Sequence, residues 1–298
     1  MSISIRTLKD EARFRSDRIS LLLFNSSVEY KTIIAWALFY FYCRLSSQVK
    51  SREQPHSFHQ TGFSFLAPLD SSLTHSGLAD VIGYLDPLLV DNGTGSASLS
   101  RDSHPLVASF IYDCLSFWRQ EIESIFRSHF CCYWIHVYRT YPLEHSDPAS
   151  SFSWHYDEDP PALKKIFIYL DDTNRRNGAF RYFPKRPSRK LFKKGFISNS
   201  VSRRLKSQEL IDPVMLREST WAEGNAGQGF IFDNNIIHRG THPEAKHRTV
   251  IAIEVMPSSS PLTLHNIDNS LRLPIFDDYP RKPWQNRYLI HTFQPPPC

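Results

Sequence analysis

The chain has 298 residues and a formal net charge of +5, and 41% of its residues are hydrophobic while 22% are charged. This composition excludes a disordered or collagen-like chain and indicates an ordinary globular protein. Five cysteines without CxxC spacing argue against a zinc ribbon and are typical of reduced thiols, so we expect an intracellular, cytoplasmic location.

No membrane segment is expected near the N-terminus. The first residues mix basic and acidic side chains, unlike the basic-then-apolar order of a secretory signal. The uncharged run from Thr32 to Cys43 is rich in Ile, Trp, Phe and Tyr. It is much shorter than the roughly 20 residues that a membrane span needs. We interpret it as a buried helix.

Residues 1–130 are predicted to be mostly helical with loops. Apolar residues from Leu106 to Ile125 recur at helical spacing, and Pro105 fits the first turn of that helix. Residues 50–104 are rich in Ser, His, Gly, Asp and Pro, which predicts irregular structure with one short helix around residues 76–85.

From Cys131 onward the pattern changes to strands, as aromatic and β-branched residues become frequent. The predicted strands cover residues 133–141, 152–157, 165–170, 179–183, 227–237 and 249–256. Asn177-Gly178 is a hairpin signal that would pair the third and fourth of these strands. We therefore predict one α+β domain over residues 1–298, with a β core at 131–256 and a C-terminal wrap at 257–298.

His155 and Asp157 form a His-x-Asp pair on one of these strands. Alternate residues of a strand point to the same face, so both side chains can aim into one pocket. His238 ends an apolar strand and is our third ligand, with His242 and His247 as alternatives. Two histidines and one carboxylate form a facial triad that leaves three positions open and suits non-haem Fe(II).

Arg248 follows His238 by ten residues, and two antiparallel strands joined by a loop would bring both side chains close together. A dicarboxylate cosubstrate such as 2-oxoglutarate needs a cation for its distal carboxylate, and arginine pairs with carboxylates bidentately. A surface salt bridge is the alternative role. Thr249 and either Tyr138 or Thr140 are expected to donate a further hydrogen bond.

A longer set of residues resembles the phytanoyl-CoA dioxygenase family of Fe(II)- and 2-oxoglutarate-dependent oxygenases. The matching residues are Trp154-His155-Tyr156-Asp157, Leu170-Asp171-Asp172, Asn177-Gly178-Ala179-Phe180 with Pro184, Gly227 to Asp233, His238-Arg239-Gly240 and Arg248. They cover about residues 130–256 in order. The resemblance implies a double-stranded β-helix, a jelly-roll or cupin-like fold, with flanking N-terminal helices.

The resemblance also implies site roles. His155, Asp157 and His238 would hold iron, Arg248 would grip the 5-carboxylate of 2-oxoglutarate, and Phe167 and Tyr169 would line the cosubstrate pocket or pack in the core. Halogenating relatives have a small residue in place of the aspartate. Asp157 therefore favours hydroxylation.

The implied activity uses O2 and 2-oxoglutarate to hydroxylate an unactivated C–H bond of a small metabolite or acyl thioester, with release of succinate and CO2. Basic residues concentrated between Arg175 and Lys194 predict a solvated loop or a clamp for an anionic substrate or acidic carrier. No nucleic-acid motif accompanies this charge. The alternatives are a non-oxidative metal-binding β-barrel, of cupin-type binding or isomerase function, and a catalytically silent scaffold for an acidic partner.

Overall fold

A computed structural model describes residues 38, 40–47, 49, 56–70, 77–91, 93–142, 151–157, 159, 162–198 and 201–273. Residues 40–46 are helical. The further helices are α1 (His56–Thr61), α2 (Leu78–Leu85), α3 (Pro105–Phe117), α4 (Arg119–Phe126), α5 (Lys185–Lys193), α6 (Val201–Gln208), α7 (Pro213–Arg217) and α8 (Leu264–Arg272). The strands are β1 (Phe63–Phe65), β2 (Ser96–Ser98), β3 (His129–Thr140), β4 (Lys164–Tyr169), β5 (Phe180–Tyr182), β6 (Thr220–Ala222), β7 (Gly229–Asp233), β8 (His238–Arg239) and β9 (Arg248–Ser258).

The described strands form two antiparallel sheets. The large sheet has the order β1-β7-β4-β9-β3-β2 and the small sheet has the order β6-β5-β8. Along the chain, β3, β4, β7 and β9 of the large sheet alternate with segments of the small sheet, which include an isolated bridge between His155 and His238. The chain therefore passes back and forth between two sheets.

Each face of the large sheet contacts a different apolar layer, because successive side chains of a strand point to opposite faces. Ile166, Ile168 and Ile253 belong to the cluster that packs against α2, α3, α4 and α8. Phe167 and Tyr169, which alternate with Ile166 and Ile168 along β4, belong to the cluster shared with the small sheet. Burying side chains of this size stabilises the fold by about 1.5–3 kcal/mol each.

The predicted helix over residues 106–125 is present but is divided at Trp118 into α3 and α4. The Trp118 side chain is fully buried, and its indole N–H donates to the carbonyl of Ala67 at 2.7 Å. Leu106 and Phe117 are 40% and 43% exposed, so only part of the apolar spacing lies in the core. The short helix predicted around residues 76–85 is confirmed as α2.

The predicted Asn177-Gly178 hairpin is wrong. β4 pairs with β7 and β9 on its two edges, whereas β5 pairs with β6 and β8 in the other sheet. Since both edges of β4 are occupied, β5 cannot pair with it. Gly178 does adopt the positive φ of +93° that favours glycine in turns, but this turn carries the chain from one sheet to the other.

The buried-helix interpretation of the N-terminal run fails for most of its described side chains. Leu38, Phe41 and Tyr42 are 64%, 51% and 59% exposed, while Cys43 is buried and Tyr40 donates a hydrogen bond to the carbonyl of Phe126. Among the described residues, one face of the helix at 40–46 packs on the protein; residues 32–37 and 39 of the run lie outside the described ones. Within the described part of the chain, no helix is long and apolar enough to span a bilayer.

The C-terminal segment contributes to the core rather than wrapping the surface as far as the described residues extend. β9 continues to Ser258, and α8 buries Ile267 and Leu271 against the helical face of the large sheet. The rest of the predicted wrap, residues 274–298, lies outside the described residues.

The contact between Trp118 and Gly229 provides a stability test. A Cβ at Gly229 would lie 2.5 Å from the Trp118 ring, so Gly229→Ala should lower the free energy of unfolding by about 1–3 kcal/mol. Gly83 of α2 has open space instead, and Gly83→Ala should raise it by about 0.5–1 kcal/mol. Urea unfolding of both variants measures this; equal effects would contradict the packing.

Candidate metal centre

The His155–Asp157 segment is held on its inner edge by the chain around His238. The amide of His155 donates to the His238 carbonyl at 2.9 Å, and the amide of His238 donates back at 2.8 Å. The amide of Asp157 donates to the carbonyl of Asn234 at 3.0 Å. These bonds give the segment strand-like alternation, although the predicted strand 152–157 is only this bridge.

Two side chains hold the outer edge of the same segment. Gln208 accepts a hydrogen bond from the Trp154 amide at 3.0 Å and donates to its carbonyl at 2.9 Å. The Ser198 hydroxyl makes the same pair of bonds with Tyr156, at 3.0 and 2.9 Å. Side chains of the region after α5 thus take the place of a neighbouring strand. They fix His155 and Asp157 toward the interior.

His155, Asp157 and His238 converge. One potential ligand atom from each lies within 4.8 Å of the others. His155 Nε2 is 3.6 Å from Asp157 Oδ1, and His238 Nε2 is 3.6 Å from Asp157 Oδ2. These distances exceed the roughly 2.7–3.2 Å of a hydrogen bond, so the three potential metal ligands face one another without hydrogen-bonding directly. All three side chains are largely buried.

The ring orientation of both histidines suits metal binding. Nδ1 of His155 lies 2.8 Å from the Ser153 carbonyl and Nδ1 of His238 lies 2.9 Å from the Ile236 carbonyl. A carbonyl only accepts, so each Nδ1 carries the proton and each neutral ring presents a lone pair at Nε2. Burial, and then His238, lower the pKa of His155 to about 3; burial also lowers the pKa of His238.

A buried cation that the sequence did not reveal contacts the candidate carboxylate. Lys165 of β4 donates to Asp157 Oδ2 at 2.8 Å, and its Nζ lies 3.3 Å from Glu254 Oε1. Burial alone would lower the pKa of Lys165, but the carboxylates of Asp157, Glu254 and Asp159 raise it above its usual range. The sequence predicts only that Lys165 begins a strand. A charge at an inward position of a strand was the available signal.

Arg248 is buried, at 2% exposure, on the face of β9 that points between the sheets. Its guanidinium donates to the Gly178 carbonyl and, at 3.3 Å, to Thr140 Oγ1. Its Nε is buried without a hydrogen-bond partner, and no carboxylate of the described residues lies within 4.0 Å of it. A surface salt bridge is therefore excluded as its role.

Of the residues predicted to contact the cosubstrate, Tyr138 and Phe167 face the region of Arg248, whereas Tyr169 is a core residue. Tyr138 and Arg248 face the same space, since Arg248 Cζ lies 6.0 Å from the centroid of the Tyr138 ring. Phe167 and Tyr138 pack against the same apolar cluster. The Tyr169 hydroxyl is already engaged: it donates to Ala222 and accepts from the Phe180 amide. Tyr169 therefore packs and bonds as a core residue.

Thr249 points away from Arg248, contrary to our expectation. It follows Arg248 directly on β9, so its side chain lies on the opposite face of the sheet. There its Oγ1 accepts a hydrogen bond from Arg139 Nε at 2.8 Å. The expected strand pairing of His238 with Arg248 is also wrong, because β8 belongs to the small sheet and β9 to the large one.

The alternative third ligands lie elsewhere. His242 stacks on Phe152 with ring centroids 3.5 Å apart, and His247 is half-exposed with Nε2 3.7 Å from Asp171 Oδ1. Neither belongs to the group of converging donors found among the described residues. The structure therefore brings together His155, Asp157 and His238; their role as metal ligands stays a prediction.

The basic segment between residues 175 and 194 is divided among a turn, β5 and α5. Several of its charges have local acidic partners: Arg176 pairs with Glu244 and Lys190 with Glu218. Exposed pairs of this kind contribute little to stability. Most basic side chains of the segment are exposed, but much of it is helical rather than the predicted solvated loop. A clamp for an anionic substrate stays a prediction.

No protein-family model and no curated protein matches the chain. Solved structures do. The α-ketoglutarate-dependent carbocyclase SnoK from nogalamycin biosynthesis is 13% identical, with 70% of this chain and 84% of that chain covered and a TM-score of 0.47. HygX from Streptomyces hygroscopicus, with nickel, 2-oxoglutarate and hygromycin B bound, is 16% identical over 70% and 88% of the chains at 0.45. The epimerase SnoN is 13% identical over 67% and 77% at 0.44. Similarity at this level assigns no role to any residue here.

The outer-edge bonds can be tested through metal binding. Gln208→Ala removes both bonds to the Trp154 backbone, so divalent-metal affinity should fall about 10-fold or more, as when groups that orient ligands are lost. Glu209→Ala, at the exposed neighbouring position, is the control. Calorimetric titration with Co(II) measures both; an unchanged affinity in Gln208→Ala would show that the outer edge does not position the ligands.

Proposed function

We propose that this protein is an Fe(II)- and 2-oxoglutarate-dependent oxygenase of the hydroxylase type, acting on a small molecule. Two features of the site carry the proposal: the side chains of His155, Asp157 and His238 converge, and the buried Arg248 has no carboxylate partner among the described residues. The first suits non-haem iron and the second suits a carboxylate of the cosubstrate.

The donor set fits the metal chemically. Both imidazoles offer Nε2 lone pairs, and both Nδ1–H groups are held by carbonyls, which fixes the rings. Iron bound by these three residues would supply activation of O2 coupled to oxidative decarboxylation of 2-oxoglutarate to succinate and CO2. The protein's own contribution is to orient the ligands and keep three positions free for the cosubstrate and oxygen.

The buried charges support a dianionic cosubstrate. Lys165 contacts both Asp157 and Glu254, whereas Arg248 is buried with no ion-pair partner among the carboxylates of the described residues. A buried arginine without a counter-ion is energetically costly. A dicarboxylate such as 2-oxoglutarate would supply that counter-ion with one end while its other end reaches the metal. Arg248 is the cation that fits its distal end.

Aromatic rings around the site favour exclusion of water. Phe180 and Phe232 lie 5.3 and 5.2 Å from the His238 ring, measured between centroids, and Phe167 packs on both. A dry site strengthens electrostatic contacts and protects reactive species. These residues support an oxidation of a C–H bond. The substrate that we propose is a small metabolite, and an anionic one is compatible with the basic surface.

The fold and family belong to the same proposal. A chain that alternates between two facing antiparallel sheets is what a double-stranded β-helix, or jelly roll, requires. Within the oxygenases, the ordered residues from Trp154 to Arg248 support membership of the phytanoyl-CoA dioxygenase family. A non-oxidative metal-binding barrel is disfavoured because it has no need for the buried Arg248.

The metal site is tested by an anaerobic titration of the purified protein with Fe(II) and then 2-oxoglutarate. We expect the weak visible charge-transfer band of the iron chelate and its loss in Asp157→Ala, since a ligand is removed. In a separate assay with O2, Asp157→Ala should also lose succinate formation. Iron binding without a band would favour the non-oxidative barrel. Succinate formation that persists in Asp157→Ala would refute the ligand assignment.

The cosubstrate assignment makes a separate prediction. Arg248→Met should raise the Kd for 2-oxoglutarate about 10-fold or more, because a charge-assisted bidentate contact is worth roughly 1.5–3 kcal/mol. Thr140→Val should raise it less, since Thr140 only supports the guanidinium. Thr249→Val is the control on the opposite face and should leave the Kd unchanged. Titration into the Co(II)-loaded protein measures all three; a Kd that responds to Thr249 and not to Arg248 would overturn the assignment.

A further inference from the structure

Among the described residues, the ammonium group of Lys165 contacts the candidate metal ligand Asp157 directly. Its Nζ lies 2.8 Å from Asp157 Oδ2 and 3.3 Å from Glu254 Oε1, and its side chain is only 15% exposed. Lys165 lies directly opposite Glu254 in the pairing of β4 with β9, so the backbone register fixes this contact. The ammonium is therefore held between two carboxylates at the edge of the metal centre.

The two oxygens of Asp157 are not equivalent. Oδ1 faces His155 Nε2 at 3.6 Å, whereas Oδ2 faces His238 Nε2 at 3.6 Å and also accepts the Lys165 hydrogen bond. A charge-assisted bond of this length occupies part of the lone-pair capacity of Oδ2 and stabilises its negative charge. A cation bound at this centre competes with the ammonium for Oδ2 but not for Oδ1.

We infer that Lys165 is a positioning residue that restrains Asp157 to bind the metal through one oxygen, and that it lowers the site's intrinsic affinity for a bare dication in favour of metal together with an anionic cosubstrate. This inference rests on the proposed function. A carboxylate that chelated through both oxygens would occupy one of the three positions that the cosubstrate and oxygen need.

Electrostatics sets the sign of the effect. An ammonium a few ångströms from a divalent cation repels it, and in a partly buried site this repulsion is large enough to change affinity by tenfold or more. The same ammonium attracts a dianionic cosubstrate. Removing it should strengthen metal binding and weaken 2-oxoglutarate binding. A lysine that only stabilised the sheet would have no reason to change the two affinities in opposite directions.

Lys164 provides a matched control on the same strand. It is also a buried lysine near a carboxylate, with Nζ 3.8 Å from Asp233 Oδ1, but neighbouring residues of a strand point to opposite faces. Lys164→Met should therefore share the stability loss of Lys165→Met without its effect on the metal centre.

The experiment compares wild type, Lys165→Met, Lys165→Arg and Lys164→Met by anaerobic calorimetric titration with Co(II), followed by 2-oxoglutarate. For Lys165→Met we expect a Co(II) Kd about tenfold lower, a 2-oxoglutarate Kd about tenfold higher, and a changed Co(II) visible spectrum, which reports coordination. Lys165→Arg keeps the charge and should restore values close to wild type. Lys164→Met should match wild type in all three measurements.

Glu254→Gln is the second variant, in case Lys165→Met does not fold. Without the Glu254 charge the Lys165 ammonium loses one of the two carboxylates that it contacts, so it binds Asp157 more strongly and Co(II) affinity should fall. Unchanged Co(II) affinity in Glu254→Gln, or weaker Co(II) binding in a folded Lys165→Met, would overturn the inference while wild type still binds metal. If wild type itself bound no Co(II), or Asp157→Ala bound it equally well, the proposed function would fall first and this inference with it.

Discussion

The reciprocal main-chain hydrogen bonds between His155 and His238 are the constraint on which the site depends. They join two segments that are far apart in the chain, and they place both imidazoles on the same side of a narrow bridge. The bond from the Asp157 amide to Asn234 extends the pairing by one step. Because the backbone fixes these three residues, side-chain packing has only to choose their rotamers.

That bridge is supported from outside by residues that no metal would touch. Trp154 and Tyr156 point away from the donors into a cluster with Phe183, Leu191 and other residues of the α5–α7 region. Gln208 and Ser198 saturate the outward amides and carbonyls of the same two residues. A segment that would otherwise be an exposed edge thus has its polar groups satisfied on both sides, as buried backbone requires. The region after β5 acts as part of the site's scaffold.

The sequence predicted what depends on local spacing and missed what depends on pairing between distant strands. The convergence of His155 and Asp157 follows from an i, i+2 relation, and the choice of His238 over His242 followed from its place beside an apolar strand. The hairpin at Asn177-Gly178 failed because the partners of β4 come from distant parts of the chain. Lys165 was missed for the same reason, since its role needs the register that sets it opposite Glu254. The wrong prediction that Thr249 contacts the cosubstrate was avoidable, because strand alternation places Thr249 on the face opposite Arg248.

Two buried arginines on adjacent strands show how partners distinguish a structural cation from one that awaits a ligand. Arg139 of β3 faces the helices, where it forms an ion pair with Asp86 at 2.5 Å and hydrogen bonds with Thr249 and the Leu89 carbonyl. Arg248 of β9 faces the space between the sheets, where its described partners are neutral oxygens and its Nε has none.

Both charges are removed from water, but only one is neutralised within the described protein. Leaving a buried charge without a counter-ion is costly, so the site of Arg248 is stabilised by any anion that reaches it. Carboxylate geometry matches the guanidinium fork best. The same reasoning applied to the metal centre gives the opposite sign: the carboxylates of Asp157, Glu254 and Asp159 outnumber the Lys165 ammonium there, so that end of the site favours a dication. The two halves of the site are therefore coupled through charge, and a dicarboxylate that reaches both would stabilise each of them.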